Sequence, residues 1–124
     1  MLNALVIAGA AAAGALSRYG LELTLPTSSD GTHYGATLAV NLAGSLVLGL
    51  LMGTLGERLV EQQTLRLLLT VGFLSSFTTF SALAYQAVHL LELGAGVTAA
   101  VYVFGTLFGG IALAYGGLVL GRAF

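Results

Sequence analysis

The chain has 124 residues, of which 57% are hydrophobic and only 7% charged, with a net charge of −1 and no cysteine. An ordinary soluble domain is about 25% charged, so a chain with a mean hydropathy of +0.97 cannot cover a water-facing surface and belongs in a bilayer. The charge balance excludes an electrostatic binder of nucleic acid, and the lack of cysteine excludes disulfides, thiolate metal sites and thiol catalysis.

Charges and breakers divide the sequence into four apolar segments, each long enough for a hydrocarbon core of roughly 30 Å. Each must be helical, because lipid offers the backbone no other hydrogen-bond partners. The first segment runs from Asn3 to Leu25 and stops at Pro26, where Thr27-Ser28-Ser29-Asp30-Gly31 supplies turn chemistry. Ala11-Ala12-Ala13 has the small-residue character of a signal-peptide cleavage site. No positive n-region precedes it and three more apolar segments follow, so this segment is expected to remain as a helix. Arg18 lies in its second half, within Gly14-Ala15-Leu16-Ser17-Arg18-Tyr19-Gly20. Two readings stand for it: snorkelling beside Tyr19 or pairing with Glu22 at i+4, or drawing anions into a vestibule.

The second segment runs from Tyr34 to Leu55, and a polar connector is expected from Gly56-Glu57-Arg58 through Glu61-Gln62-Gln63. Asn41 places an amide inside the hydrocarbon, where it needs partners. An interhelical hydrogen bond is one reading. The other is that its NH2 donors, which carry no net charge, face an anion that must be bound and released.

The third segment, Leu65–Leu91, holds the densest cluster. Ser75, Ser76, Thr78, Thr79 and Ser81 crowd its centre, with Phe77 and Phe80 interleaved and no charged residue from Leu67 to Leu91. Serine and threonine compete for backbone hydrogen bonds and loosen helices, which predicts a break near the middle. A break frees main-chain carbonyls inside the protein, as at midplane ion sites in transporters, and such carbonyls suit a hard cation such as Na+. Aromatic edges are electropositive, so an edge-on Phe80 can touch a small anion. Aromatic packing with hydroxyls bonded back to the helix accounts for any one of these residues. Their concentration at one depth points instead to something polar or charged at mid-membrane.

Glu92, Gly94 and Gly96 make the next turn, and the fourth segment spans Val97–Leu120 before Gly121-Arg122. Tyr102, Thr106 and Gly110 repeat at i, i+4 and i+8 and so share a face, either a polar track or a hydrogen-bonded packing seam. His33 and His89 sit near segment ends, with no partners that suggest a metal site. Gly49-x-x-x-Gly53, Gly105-x-x-x-Gly109 and Gly117-x-x-x-Gly121 are small-residue faces for close helix approach. Four short helices enclose little volume, so a polar path is expected between two copies rather than within one. With four spans, both termini share a side with Arg58, Arg66 and Arg122, against Arg18 alone elsewhere. The positive-inside rule then puts the termini in the cytoplasm, by a margin small enough to leave insertion in both directions open.

Three stretches resemble the CrcB/Fluc family of fluoride channels: Gly14-Ala-Leu-Ser-Arg18-Tyr19, Gly35-Ala-Thr-Leu-Ala-Val-Asn41-Leu-Ala-Gly44-Ser45 and Gly72-Phe-Leu-Ser-Ser-Phe-Thr78-Thr79-Phe80-Ser81. The resemblance covers essentially the whole chain. It implies an all-α membrane protein of the plasma or inner membrane with a broken third helix. It further implies an antiparallel, dual-topology homodimer with two fluoride pathways and a central Na+ that is not transported. By position, Asn41 would line the pathway and Phe80 would be one ring of the family's phenylalanine box. Ser81, Tyr102 and Thr106 would fall on the polar track, Arg18 near the vestibule, and the main-chain carbonyls of Ser75 and Thr78 on Na+. Family members usually follow Thr-Thr-Phe-Ser with Thr-Phe, where this chain has Ala82 and Leu83, so the second box phenylalanine is missing. Ser75-Ser76 stands where paired glycines are usual. A subunit that functions only with a homologous partner is therefore a variant of the expectation.

The sequence thus predicts passive, selective export of cytoplasmic fluoride, which lowers its toxic concentration, with lipid and a second subunit as the other partners. A small multidrug-type proton-coupled transporter is the alternative, but it needs an acid deep in the first helix. Asn3–Ser17 has none, and Glu22 is too near the end. A non-transporting assembly subunit is a third reading. No nucleophile–base pair can be assembled, so an enzyme is not expected.

Overall fold

A computed structural model describes residues Met1–Phe124. The chain is entirely helical: α1 (Leu2–Thr24), α2 (Tyr34–Glu61), α3 (Gln63–Arg66), a π-helical segment (Leu67–Leu74), α4 (Ser75–Phe77), α5 (Phe80–Glu92) and α6 (Gly96–Gly121). The pieces from Gln63 to Glu92 together make the third span, so four helical spans are long and apolar enough to cross a membrane. α1 ends at Leu25, which is extended at φ −92°, ψ 151°, as the residue before a proline prefers.

α2 departs from the expected boundary. The polar stretch after Leu55 is not a connector but the last turns of one 28-residue helix. Leu59, only 2% exposed, anchors those turns to the rest of the protein, so one buried apolar side chain outweighs the polarity around it. The reversal into the third span falls at Gln62 (φ −100°, ψ 85°).

The third span is interrupted, as the hydroxyl cluster predicts. Thr78 (φ −83°, ψ 160°) and Thr79 (φ −153°, ψ 112°) are extended. Before the break the helix is also underwound in hydrogen-bond register. The Ser75 N–H reaches back five residues to the Thr70 carbonyl, and the Ser75 hydroxyl donates to the same oxygen at 2.9 Å. Such π-helical turns recur at functional sites. α1 lies against this segment and α4. A side chain at Gly14 would collide with the Phe73 carbonyl, and one at Gly72 would come within 2.5 Å of the Ala10 Cβ.

α2 and α6 form the tightest pair, and their glycines explain why. Gly49 faces the Ala114 carbonyl; a Cβ on Gly117 would stand 2.5 Å from the Leu46 carbonyl, and one on Gly121 would stand 2.6 Å from that of Leu50. Two of the three small-residue faces thus mate with each other. The third does not: Gly105 has nothing near it, and Gly109 meets only the Leu42 side chain at 3.1 Å. Only 16 of 124 residues are buried, because in lipid the outer apolar faces need no cover. Gly49→Ala is expected to force α2 and α6 apart and cost about 1–3 kcal/mol, as overpacking does, whereas Gly105→Ala is neutral. Thermal denaturation of the two variants in one detergent compares them.

The turn between α1 and α2 is tied by Asp30. Its carboxylate accepts from the Thr32 N–H at 2.9 Å and the Tyr34 hydroxyl at 3.0 Å, and it lies 3.3 Å from His89 Nε2. His33 meets only the Thr27 hydroxyl, at 3.3 Å. The Thr32 N–H is the main influence that lowers the Asp30 pKa to about 2, with Tyr34 adding to it against partial dehydration. A depressed carboxyl pKa contributes stability that is fully present above the unfolded value and lost as pH falls through the folded one. Melting temperature should therefore fall between about pH 4 and pH 2. Asp30→Asn should remove that part of the pH dependence.

Candidate functional site

The break is held open from α2. Asn41 Nδ2 donates to the Thr79 carbonyl at 3.0 Å, and the Thr79 N–H donates to Asn41 Oδ1 at 2.8 Å. One side-chain amide therefore pairs with both polar groups of one extended residue, as a neighbouring β-strand would. The reading of Asn41 as an interhelical hydrogen-bonding residue is realised. One of its two amide hydrogens is committed in this way, and the other remains for a further acceptor. Gly44, one turn along, makes room for the Thr78 methyl.

The same geometry strips donors from two carbonyls. In a continuous helix the Thr79 N–H would bond the Ser75 carbonyl, and the Ala82 N–H would bond that of Thr78. Here the first goes to Asn41, and the second goes at 3.2 Å to the Thr79 hydroxyl, which caps α5. Ser75 and Thr78, whose carbonyls the resemblance singles out, are thus two of the residues before α5 whose helical donors are lost.

Beside the break lies a cleft of about 650 Å³ between α2, the third span and α6. Asn41, Ser75, Thr78, Phe80 and Thr106 all line it, together with Ser45, Thr79 and Gly110, and no acidic or basic residue does. Gly110 is needed here, since its missing side chain leaves 3.3 Å for the Ser45 hydroxyl. Phe80 opens α5 at the rim and is 81% exposed. Phe77, by contrast, stacks on Phe73 with ring centroids 5.8 Å apart and takes no part in the lining.

Three expected site residues lie outside the cleft lining. Ser81 is exposed next to the rim, its hydroxyl 3.4 Å from that of Thr79. Tyr102 lies one turn from Thr106, which donates to its carbonyl at 2.7 Å. Arg18 is on α1, away from the cleft. It makes no ion pair, so the pairing with Glu22 does not form. Its Nε is buried without a hydrogen-bond partner, while the residue as a whole is half-buried.

Two residues that the sequence analysis passed over complete the polar face. Gln86, 7% exposed, accepts from the Tyr102 hydroxyl and donates to the Thr37 hydroxyl at 3.0 Å. Tyr34 packs edge-on to Tyr102 with centroids 5.8 Å apart, linking this network to the Asp30 turn. The signal for Thr37 was its spacing, since Thr37, Asn41 and Ser45 share one face of α2 at i, i+4 and i+8. Gln86 stands two turns into α5, and its partners Thr37 and Tyr102 lie on other helices, so no local spacing marked it. Gln86→Leu should leave two hydroxyls without their partner and cost about 1–3 kcal/mol, read as a lower melting temperature than that of the native protein.

A four-span helical membrane protein, with one span opened at mid-length onto an uncharged polar cleft, has the architecture of a small channel or transporter. Residues 4–118 match the family described as CrcB-like protein, Camphor Resistance (CrcB), and the chain belongs to that family. It is similar to the fluoride-specific ion channel FluC of Methylobacterium sp. (strain 4-46), with 41% identity over 112 residues that cover 90% of each chain. The protein of the same name from Nitratidesulfovibrio vulgaris (strain DP4) is 44% identical over 112 residues, 88% of each chain. That of Chlorobaculum tepidum is 37% identical over 122 residues, 98% of this chain and 96% of its own.

Proposed function

We propose that this protein is a passive fluoride channel that lets the ion leave the cytoplasm down its electrochemical gradient. The observation that carries this reading is the cleft at the break, which offers amide and hydroxyl groups and no fixed charge. The name shared by its relatives agrees with it. A small, strongly hydrated anion must exchange water for other donors in a narrow path. The second Nδ2 hydrogen of Asn41, the hydroxyls of Ser81, Thr106 and Tyr102, and the edge of Phe80 would supply them in turn. Arg18 would act from outside the cleft, by raising the anion concentration near the path. The inside-negative potential itself favours exit, by about 2.3 kcal/mol per charge per 100 mV.

The finer parts of the reading are an antiparallel, dual-topology homodimer and a structural Na+. The dimer is supported by the sideways opening of the cleft: Ser75, Phe80 and Ser81 are exposed at mid-span, where polar groups facing lipid are costly. A second copy would cover them and close two pathways. Na+ is supported by the diverted donors at Ser75 and Thr78, because hard cations take oxygen ligands and these two carbonyls have lost their helical partners. Bound there, Na+ would supply a fixed positive charge at mid-depth. Leu83, 8% exposed and lining the cleft, is the position where the resemblance leads one to expect a second ring. That residue favours a second arrangement, in which a homologous partner contributes the missing aromatic edge.

Purified protein in liposomes is expected to pass fluoride and retain chloride, with both ions followed by electrodes. Asn41→Leu, which removes both the spare donor and the clamp on Thr79, should reduce fluoride flux at least a hundredfold, a loss of about 2.7 kcal/mol of barrier stabilisation. Native-level flux from this variant would remove Asn41 from the pathway. Flux that appears only after co-reconstitution with a homologous subunit would select the heteromeric arrangement.

A further inference from the structure

We propose that the crevice where α2 and α6 end together is a binding site for the phosphate headgroup of an anionic glycerophospholipid. A cavity of about 530 Å³ lies there, lined by Arg58 and Arg122 with the apolar side chains of Met52, Leu55 and Val60. It shares no lining residue with the mid-span cleft, and the channel reading does not depend on it.

The glycine packing of the fold creates this site. Gly53 and Gly121 abut so closely that a Cβ on Gly53 would stand 2.8 Å from the Gly121 Cα. Arg58, in the last turns of α2, and Arg122, the C-cap of α6, are thereby brought to the border of one cavity although 64 positions separate them. Both arginines are exposed, and neither is paired, since the ion pairs of the chain involve only His89. Glu57 also borders the cavity without engaging either guanidinium. Two arginines against one glutamate leave the lining with one net positive charge.

The chemistry selects the ligand. Planar guanidinium groups match phosphate oxygens in bidentate fashion, and basic pockets between transmembrane helices hold anionic lipid headgroups. Helix C-termini carry a partial negative charge of about half a unit each, which with Glu57 offsets the two arginines in sum. The attraction for phosphate therefore comes from direct guanidinium contact at short range rather than from net charge. A free anion would use only the guanidinium groups. Met52, Leu55 and Val60 add a wall for acyl chains, with Val60 81% exposed, and that wall favours a phospholipid over inorganic phosphate. The α2 turns beyond Leu55 carry Arg58 past the apolar span, to the depth where headgroups lie.

Native mass spectrometry of the purified full chain in an uncharged detergent tests this. Phosphatidylglycerol should bind in preference to phosphatidylcholine, and inorganic phosphate should not displace it. Each arginine near a lipid surface contributes about fivefold in affinity, so the double variant R58Q/R122Q should lose on the order of thirtyfold. R66Q, on the same side but outside the cavity, should retain the preference. Equal binding of the two lipids by the native protein would overturn the proposal, and that comparison needs no variant. So would displacement by phosphate, an unchanged preference in R58Q/R122Q, or an equal loss in R66Q, which would signal general surface charge.

Discussion

The pairing of Asn41 with Thr79 is the contact on which the middle of this molecule depends. A helix interrupted inside a bilayer exposes backbone groups that cost several kcal/mol each if left unmatched. Asn41 answers that cost at one residue by offering an acceptor to the Thr79 N–H and a donor to its carbonyl. The Thr79 hydroxyl then caps α5 through the Ala82 N–H. What the clamp satisfies at Thr79 and Ala82 it withdraws from Ser75 and Thr78, whose carbonyls lose their helical donors. The carbonyls of Ser76 and Phe77 likewise have no helical donor across the extended pair, so the unmet demand spans residues 75–78, ahead of α5. An interhelical hydrogen bond in a membrane is worth only about 0.6–2 kcal/mol, so the main effect of Asn41 is on the shape of the break rather than on stability.

That clamp works because α2 is rigidly placed. The Gly49–Gly53 and Gly117–Gly121 faces bring the α2 and α6 backbones into direct contact, and no rotamer change can relax such a contact. Farther along the same pair, Ser45 sits against Gly110 and the faces separate enough for a cleft. The third span is built differently. Its π-helical turn, its extended pair Thr78-Thr79 and its short α4 interrupt the regular helix, while Gly14 and Gly72 let α1 press against its outer side. A pair of continuous helices thus faces an interrupted span across the polar groups.

Much of this was legible in the residues, and the failures have physical causes. Span number and the break followed from apolar length and from hydroxyl crowding, both of which act locally. The end of α2 was misplaced because Leu59 is a tertiary anchor, invisible in a stretch read by its Glu and Arg content. Gly105 was grouped with the packing glycines because spacing does not say which way a face points. The network through Gln86 was missed because it joins residues 49 and 16 positions apart, a relation that no local pattern encodes. For Asn41 the structural reading is the one seen, in its two bonds to Thr79.

The absence of formal charge from the cleft follows from what an ion path requires. A guanidinium or carboxylate side chain in direct contact with a passing ion would either hold a counter-ion too firmly to release it or repel the ion outright. Amides, hydroxyls and ring edges give smaller, graded attractions that can be exchanged one for another along a path. Arg18, on α1, does not line the cleft. A single chain leaves this polar strip facing sideways, with Ser75 and Ser81 exposed, a state that lipid penalises. The composition of the strip and its exposure are thus two sides of one feature, an uncharged polar face left open toward lipid.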